Sequence, residues 1–163
     1  MQSVVVSDTS PIRALHHLGL LSLCRELFGT VIVPQAVCRE LARPTRYCPA
    51  ISIDEYSMFV VRTARQKPEE LGVPSDLDSG ESEALALAIE LQADLLLIDE
   101  RKGNDAAKRV GLATIGVFGV LLEAKKRSLI AGVLPLVDRL VKELEFYTSP
   151  NVRQRLADLA NED

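Results

Sequence analysis

Three short runs, Val4-Val5-Val6, Val31-Ile32-Val33 and Leu95-Leu96-Leu97-Ile98, are apolar at every position and do not alternate. A strand with this pattern is covered on both faces, as in parallel sheets with helices on either side. Stretches of helical spacing separate the runs, so the chain reads as βα units repeated. The expected fold is α/β, three layers deep, with a central parallel sheet of four to five strands and flanking helices. Ligands of such sheets bind beyond the carboxyl ends of the strands, which draws attention to Asp8 and Asp99, the first acids after the first and third runs.

Punctuation places the elements. A strand is expected at 4–7, then a helix with Ser10 as N-cap, Pro11 as its first residue and Ile12, Leu15 and Leu18 on its apolar side. A second helix ends before Gly29, a strand spans 30–33, and Pro34 opens a helix that carries Glu40. Residues 42–57 form an excursion, 58–61 a strand, and 68–79 a loop with one turn of helix. The clearest helix is 80–91, rich in Ala and Leu and entered through Asp78 or Ser79. A strand begun by Asp94 with its apolar run at 95–98, a helix at 101–110, a short strand at 113–115 and a helix at 117–127 follow. Two more helices, at 134–146 and 152–159, should pack on the sheet or on a partner.

The 163 residues fit one domain, 1–163, with C-terminal helices from about 133 to 160. A chain of that length buries roughly 70% of its unfolded surface and needs no disulfides. Cys24, Cys38 and Cys48 form no CxxC pair and are expected as free thiols of a reducing cytosol. No basic leader precedes the first apolar run, and no apolar stretch nears the ~20 residues of a spanning helix. A cytoplasmic protein without membrane contact is expected.

The net charge of −4 argues against a nucleic-acid coat protein, which binds by neutralising phosphates with Lys and Arg. It leaves a nuclease open. Acids can hold cations, and the basic clusters Arg62/Arg65/Lys67, Arg101/Lys102, Lys108/Arg109 and Lys125-Lys126-Arg127 can meet a phosphate backbone. Taken singly, each cluster is an ordinary solvated surface.

Four acids carry the chemistry. Asp8 and Asp99 sit at strand ends; Glu40 shares the side of Ala36 and Val37; Glu81 shares the face of Ala84, Ala88 and Leu91, whereas Glu83 falls with Glu90. Each has a bland alternative: Asp8 and Asp99 as turn acids, Glu40 as helix surface, Glu81 as the third residue of a capping box with Asp78. Asp105 reads as a helix-start acid. Carboxylates a few Å apart raise one another's pKa, and Mg²⁺ or Mn²⁺ relieves this through hard oxygen ligation. Such ions activate water, so phosphodiester hydrolysis is the natural reaction. His16 and His17 lack zinc-site spacing, and no GxxxxGK[ST], GxGxxG or GxSxG is present.

Read together, Val5-Val6-Ser7-Asp8-Thr9-Ser10, Val33-Pro34 leading to Glu40-Leu41, Gly80-Glu81-Ser82-Glu83-Ala84 and Leu97-Ile98-Asp99 resemble the PIN-domain family over nearly the whole chain. That family comprises metal-dependent ribonucleases and includes the VapC-type toxins of toxin–antitoxin modules. The stretches Asp99-Glu100-Arg101-Lys102-Gly103 and Gly116-Val117-Phe118-Gly119-Val120-Leu121 resemble a prokaryotic branch other than the best-known toxins.

The resemblance implies a PIN-like fold and endoribonuclease chemistry in an acidic Mg²⁺ or Mn²⁺ pocket. One or two ions would be held by Asp8, Glu40, Glu81 and Asp99, with Glu81 standing where the family more often has Asp. Ser10 matches a small hydroxyl position that supports the first acid or its water. Asp105 and Glu83 are extra ligand candidates. RNA, single-stranded or structured, is the implied substrate; a homodimer and a small antitoxin protein are the implied partners. The alternative is a catalytically silent PIN scaffold that binds protein or RNA.

Overall fold

The computed structural model describes residues 3–163, which divide into two compact units, 3–116 and 117–163. The first contains a sheet of five strands, all parallel, in the order β3-β2-β1-β4-β5. The strands are β1 (Val5–Ser7), β2 (Val31–Pro34), β3 (Phe59–Arg62), β4 (Leu95–Leu97) and β5 (Thr114–Ile115). Helices α1 (Thr9–His17), α2 (Leu23–Phe28), α3 (Gln35–Leu41), α4 (Ser79–Glu90) and α5 (Arg101–Arg109) connect them, with short 3₁₀ turns at Ile53–Glu55 and Pro68–Leu71. The class is the α/β/α arrangement that the non-alternating runs imply.

The strand order locates the site. From β1 the chain moves outward through β2 to β3, then returns to lay β4 on the other side of β1, so the order reverses between β1 and β4. That reversal opens a crevice at the carboxyl edge. Asp8 and Asp99 flank it, because Ser7 pairs with Leu97 and the Asp8 N–H donates to the Leu97 carbonyl at 2.9 Å.

The core explains why α4 can lie so close. Ala84, Leu85, Ala86, Leu87 and Ala88 are all buried and cluster with Val6, Leu96, Ile98, Ala106 and Ala107. Small Ala side chains let the helix axis approach the sheet, and helix and strand residues interdigitate without polar atoms. Val5 and Val6 are also fully buried, as expected of a strand with no solvent face.

Most element ends lie within one or two residues of the sequence reading, with Pro34 closing β2 rather than opening α3, and one difference bears on the site. Helix α1 begins at Thr9, so Asp8 rather than Ser10 takes the N-cap position, with extended backbone at φ −79° and ψ 177°. Pro11 is then the third helical residue. Its missing N–H is still one of the four donors that a helix start leaves unpaired, so Pro is accepted there.

The second unit holds α6 (Val117–Lys126), α7 (Leu134–Leu144) and α8 (Pro150–Ala160). Glu162 fastens it: its carboxylate accepts from the Val133 and Leu134 N–H groups at the start of α7 and from Lys125 Nζ of α6 at 2.8 Å. Arg153 of α8 makes a paired contact with Asp138 of α7 at 2.9 and 2.7 Å. Among the described residues no helix is long and apolar enough to cross a membrane.

Candidate active site

The site begins with a carboxylate that does not make the usual cap bond to its own helix. An Asp at an N-cap usually accepts from the third helical N–H, but here that residue is Pro11 and has none; Asp8 makes no side-chain cap bond. The residue is 3% exposed. Burial pushes its pKa up to about 7; the Thr9 N–H opposes this, and the nearby charges of Asp78, Glu40 and Asp99 add to it.

Glu81 is the second buried acid, at 8% exposure. Helix α4 turns it inward and leaves Glu83 outside, as the spacing predicts. Its N–H donates to Asp78 Oδ1 at 2.9 Å, which is half of the capping box considered above. The other half is absent: the Glu81 carboxyl instead meets the Asp78 carboxyl, an arrangement that needs one proton between two acids. Burial first, then that hydrogen bond and the charges of Asp78, Asp8 and Glu100, raise Glu81 to about 8.

Glu40 is reached from two helix starts. Thr9 Oγ1 donates to its Oε2 at 2.5 Å, and the Gly80 N–H donates to its Oε1 at 3.0 Å. A Cβ at Gly80 would stand 2.6 Å from the same oxygen, so with any other residue at position 80 the Glu40 carboxylate would have to shift. Arg13 adds a strut from α1, donating from Nη2 to the Glu40 and Arg43 carbonyls at 2.6 and 3.2 Å.

Asp99 is half-buried, and Ser10 Oγ donates to its Oδ2 at 3.2 Å. The resemblance assigned that hydroxyl to the first acid or its water; in the structure it serves the fourth. Gly116 plays the part that Gly80 plays for Glu40, since a Cβ there would lie 2.7 Å from Asp99 Oδ1.

The crevice therefore brings Asp8, Glu40, Glu81 and Asp99 to one edge of the sheet and adds Asp78. The two spare acids lie elsewhere: Asp105 is exposed on α5, and Glu83 faces Arg39 at 3.7 Å. Thr9 and Asp78 are the residues in contact with these acids that the sequence reading missed. Asp78 was visible only as a helix start, and Thr9 only as the residue between two others.

Among the described residues, no Lys or Arg forms an ion pair with Asp8, Glu40 or Glu81. Two buried acids with raised pKa values, facing further acids and, among the described residues, no ion-paired Lys or Arg, suit a hard divalent cation by donor chemistry. The arrangement is open: among the described residues no three His, Cys, Asp or Glu side chains close on a single ion position.

A family model for the PIN domain matches residues 4–162, a span that takes in both units and every acid of the crevice. No curated protein matches the chain.

Proposed function

Since the chain belongs to the PIN-domain family, whose members are generally nucleases that use divalent metals, we propose that it is a Mg²⁺- or Mn²⁺-dependent endoribonuclease hydrolysing RNA phosphodiester bonds. The observation that carries this is the pair Asp8 and Glu81, buried at the reversal point of the sheet with raised pKa values and no cationic partner among the described residues. Asp8, Glu40, Glu81 and Asp99 are the residues that would hold the metal.

When bound, the cation supplies Lewis acidity to the attacking water and to the charge that builds on the phosphate. The protein's own residues prepare the place. Thr9 and the Gly80 N–H orient Glu40, Ser10 orients Asp99, and Asp78 hydrogen-bonds Glu81. The buried Val6, Leu96 and Ile98 beneath the acids keep water from screening them from below.

We place the RNA, single-stranded or structured, as substrate; a homodimer and a small antitoxin protein, as in toxin–antitoxin modules, are the proposed partners. The test is cleavage of single-stranded RNA by purified protein with Mn²⁺, with Asp8→Asn as the control for stray nuclease. Cleavage by the wild type alone is expected; equal cleavage by both, or none by either, overturns the reading.

A second reading, the catalytically silent scaffold, draws on the open arrangement of the acids and on both Glu40 oxygens already accepting a hydrogen bond, from Thr9 and Gly80. Titration calorimetry separates the two. A nuclease takes up Mn²⁺ with release of protons near pH 7, and a silent scaffold takes up none.

A further inference from the structure

In two of the four basic clusters side chains are already engaged. Lys102 faces Asp76 at 3.5 Å, Lys125 is held by Glu162, and Arg127 pairs with Glu123. Arg62 and Arg65 differ. Among the described residues neither guanidinium has an ion-pair partner, and both line a cavity of about 550 Å³ beside α4. A second cavity of about 300 Å³ shares Thr63, Arg65 and Gln66 with it and extends to Lys67, Ser79 and Ser82.

The position of this groove follows from the topology. Arg62 ends β3 in register with Pro34, the end of β2, so the segment after it leaves the sheet from the carboxyl edge that also carries Asp8 and Asp99. At its other end Ser79 is the first residue of α4, next to Gly80, whose N–H holds Glu40. The Glu90 carboxylate accepts from the Arg65 N–H at 2.8 and 3.0 Å and from the Gln66 N–H at 3.0 Å, which pins the backbone of this segment to α4. The two acids in the walls are thus engaged, Glu90 by these amides and Glu83 by Arg39.

We propose that this groove carries the sugar–phosphate backbone of a single-stranded RNA away from the acidic crevice, with Arg62 and Arg65 on phosphates and Thr63 and Gln66 on the sugar edge. This rests on the nuclease reading above. Two unpaired guanidiniums recognise phosphate oxygens, and hydroxyl and amide groups complete a polar wall. No aromatic side chain lines either cavity, so bases have no stacking platform and the contact is to the backbone, independent of sequence.

Fluorescence anisotropy with labelled oligouridine in EDTA, across a salt series, reads this contact without any cleavage. Replacing both arginines (Arg62→Ala with Arg65→Ala) should weaken binding about tenfold and reduce the slope of log affinity against log salt by roughly 1.4, two phosphates at about 0.7 each. The lysine pair (Arg62→Lys with Arg65→Lys) should recover most of the slope. No binding by the wild type, the same slope in wild type and alanine variant, or equal affinity for oligoglutamate of matched charge overturns the groove. Binding with the expected slopes but no Mn²⁺-dependent cleavage leaves the groove standing and removes the nuclease; cleavage with unchanged slopes does the reverse.

Discussion

Asp8 is buried where its charge is costly. A carboxyl whose folded pKa is near 7, against 3.8 for the free group, binds its proton more tightly in the folded state, so its contribution to stability is greatest at low pH and disappears as pH rises through 7. Glu81, at about 8 against 4.5, acts in the same direction. In EDTA the melting temperature should therefore fall between about pH 5 and pH 8, and Asp8→Asn should flatten that decline while lowering cleavage by about a hundredfold or more. A wild-type profile that rises over this range contradicts the burial of these acids.

Gly80 gives a second test, in which two opposing effects decide the sign. Alanine in a helix is favoured over glycine by at most about 1 kcal/mol, whereas a hydrogen bond to a charged group contributes about 1.5 to 3 kcal/mol. Because a Cβ at position 80 meets Glu40 Oε1 at 2.6 Å, the second effect should win. Gly80→Ala is expected to destabilise by about 1 kcal/mol, read by urea unfolding. A stabilised variant would mean that Glu40 is not clamped to the start of α4.

Among the elements, Glu162 binds two helices at once. It accepts from the first N–H groups of α7 and from Lys125 of α6; burial resists its ionisation, but these partners outweigh burial and bring its pKa down to about 2. A lowered pKa contributes stability above the ordinary 4.5 that is lost as pH falls toward 2. Glu162→Gln should cost about 1 to 2 kcal/mol at pH 7, the size of a helix-cap loss, and should blunt acid unfolding between pH 4.5 and 2. Circular dichroism during urea titration at the two ends of that range measures it.

Glu162 also marks where sequence reading stops. The apolar runs are local signals, and β1, β2 and β4 were legible because a strand covered on both faces must be apolar throughout. The inward turn of Glu81 was legible from helical spacing for the same reason. A bond from residue 162 to residues 133 and 134 leaves no periodicity, and the contact of Thr9 with Glu40 crosses 31 positions. The start of α1 was misplaced because Ser10-Pro11 is a good helix opening in isolation, while the pairing of Asp8 with Leu97 lets the helix follow the strand directly. Asp78 was hidden by a second role, since a helix cap and a cleft acid look alike in one dimension.

For the molecule as a whole, the strand order converts separate acids into a site. Asp8 and Asp99 are 91 positions apart in the chain yet flank one crevice, because β4 returns beside β1, and α3 and α4 bring Glu40 and Glu81 to the same edge. The most direct test of this account is Mn²⁺-dependent cleavage of single-stranded RNA, wild type against Asp8→Asn, on protein first stripped with EDTA. Cleavage that appears with added Mn²⁺, disappears on chelation and is lost in Asp8→Asn is the expected result. Cleavage that survives chelation, or that Asp8→Asn retains, contradicts it.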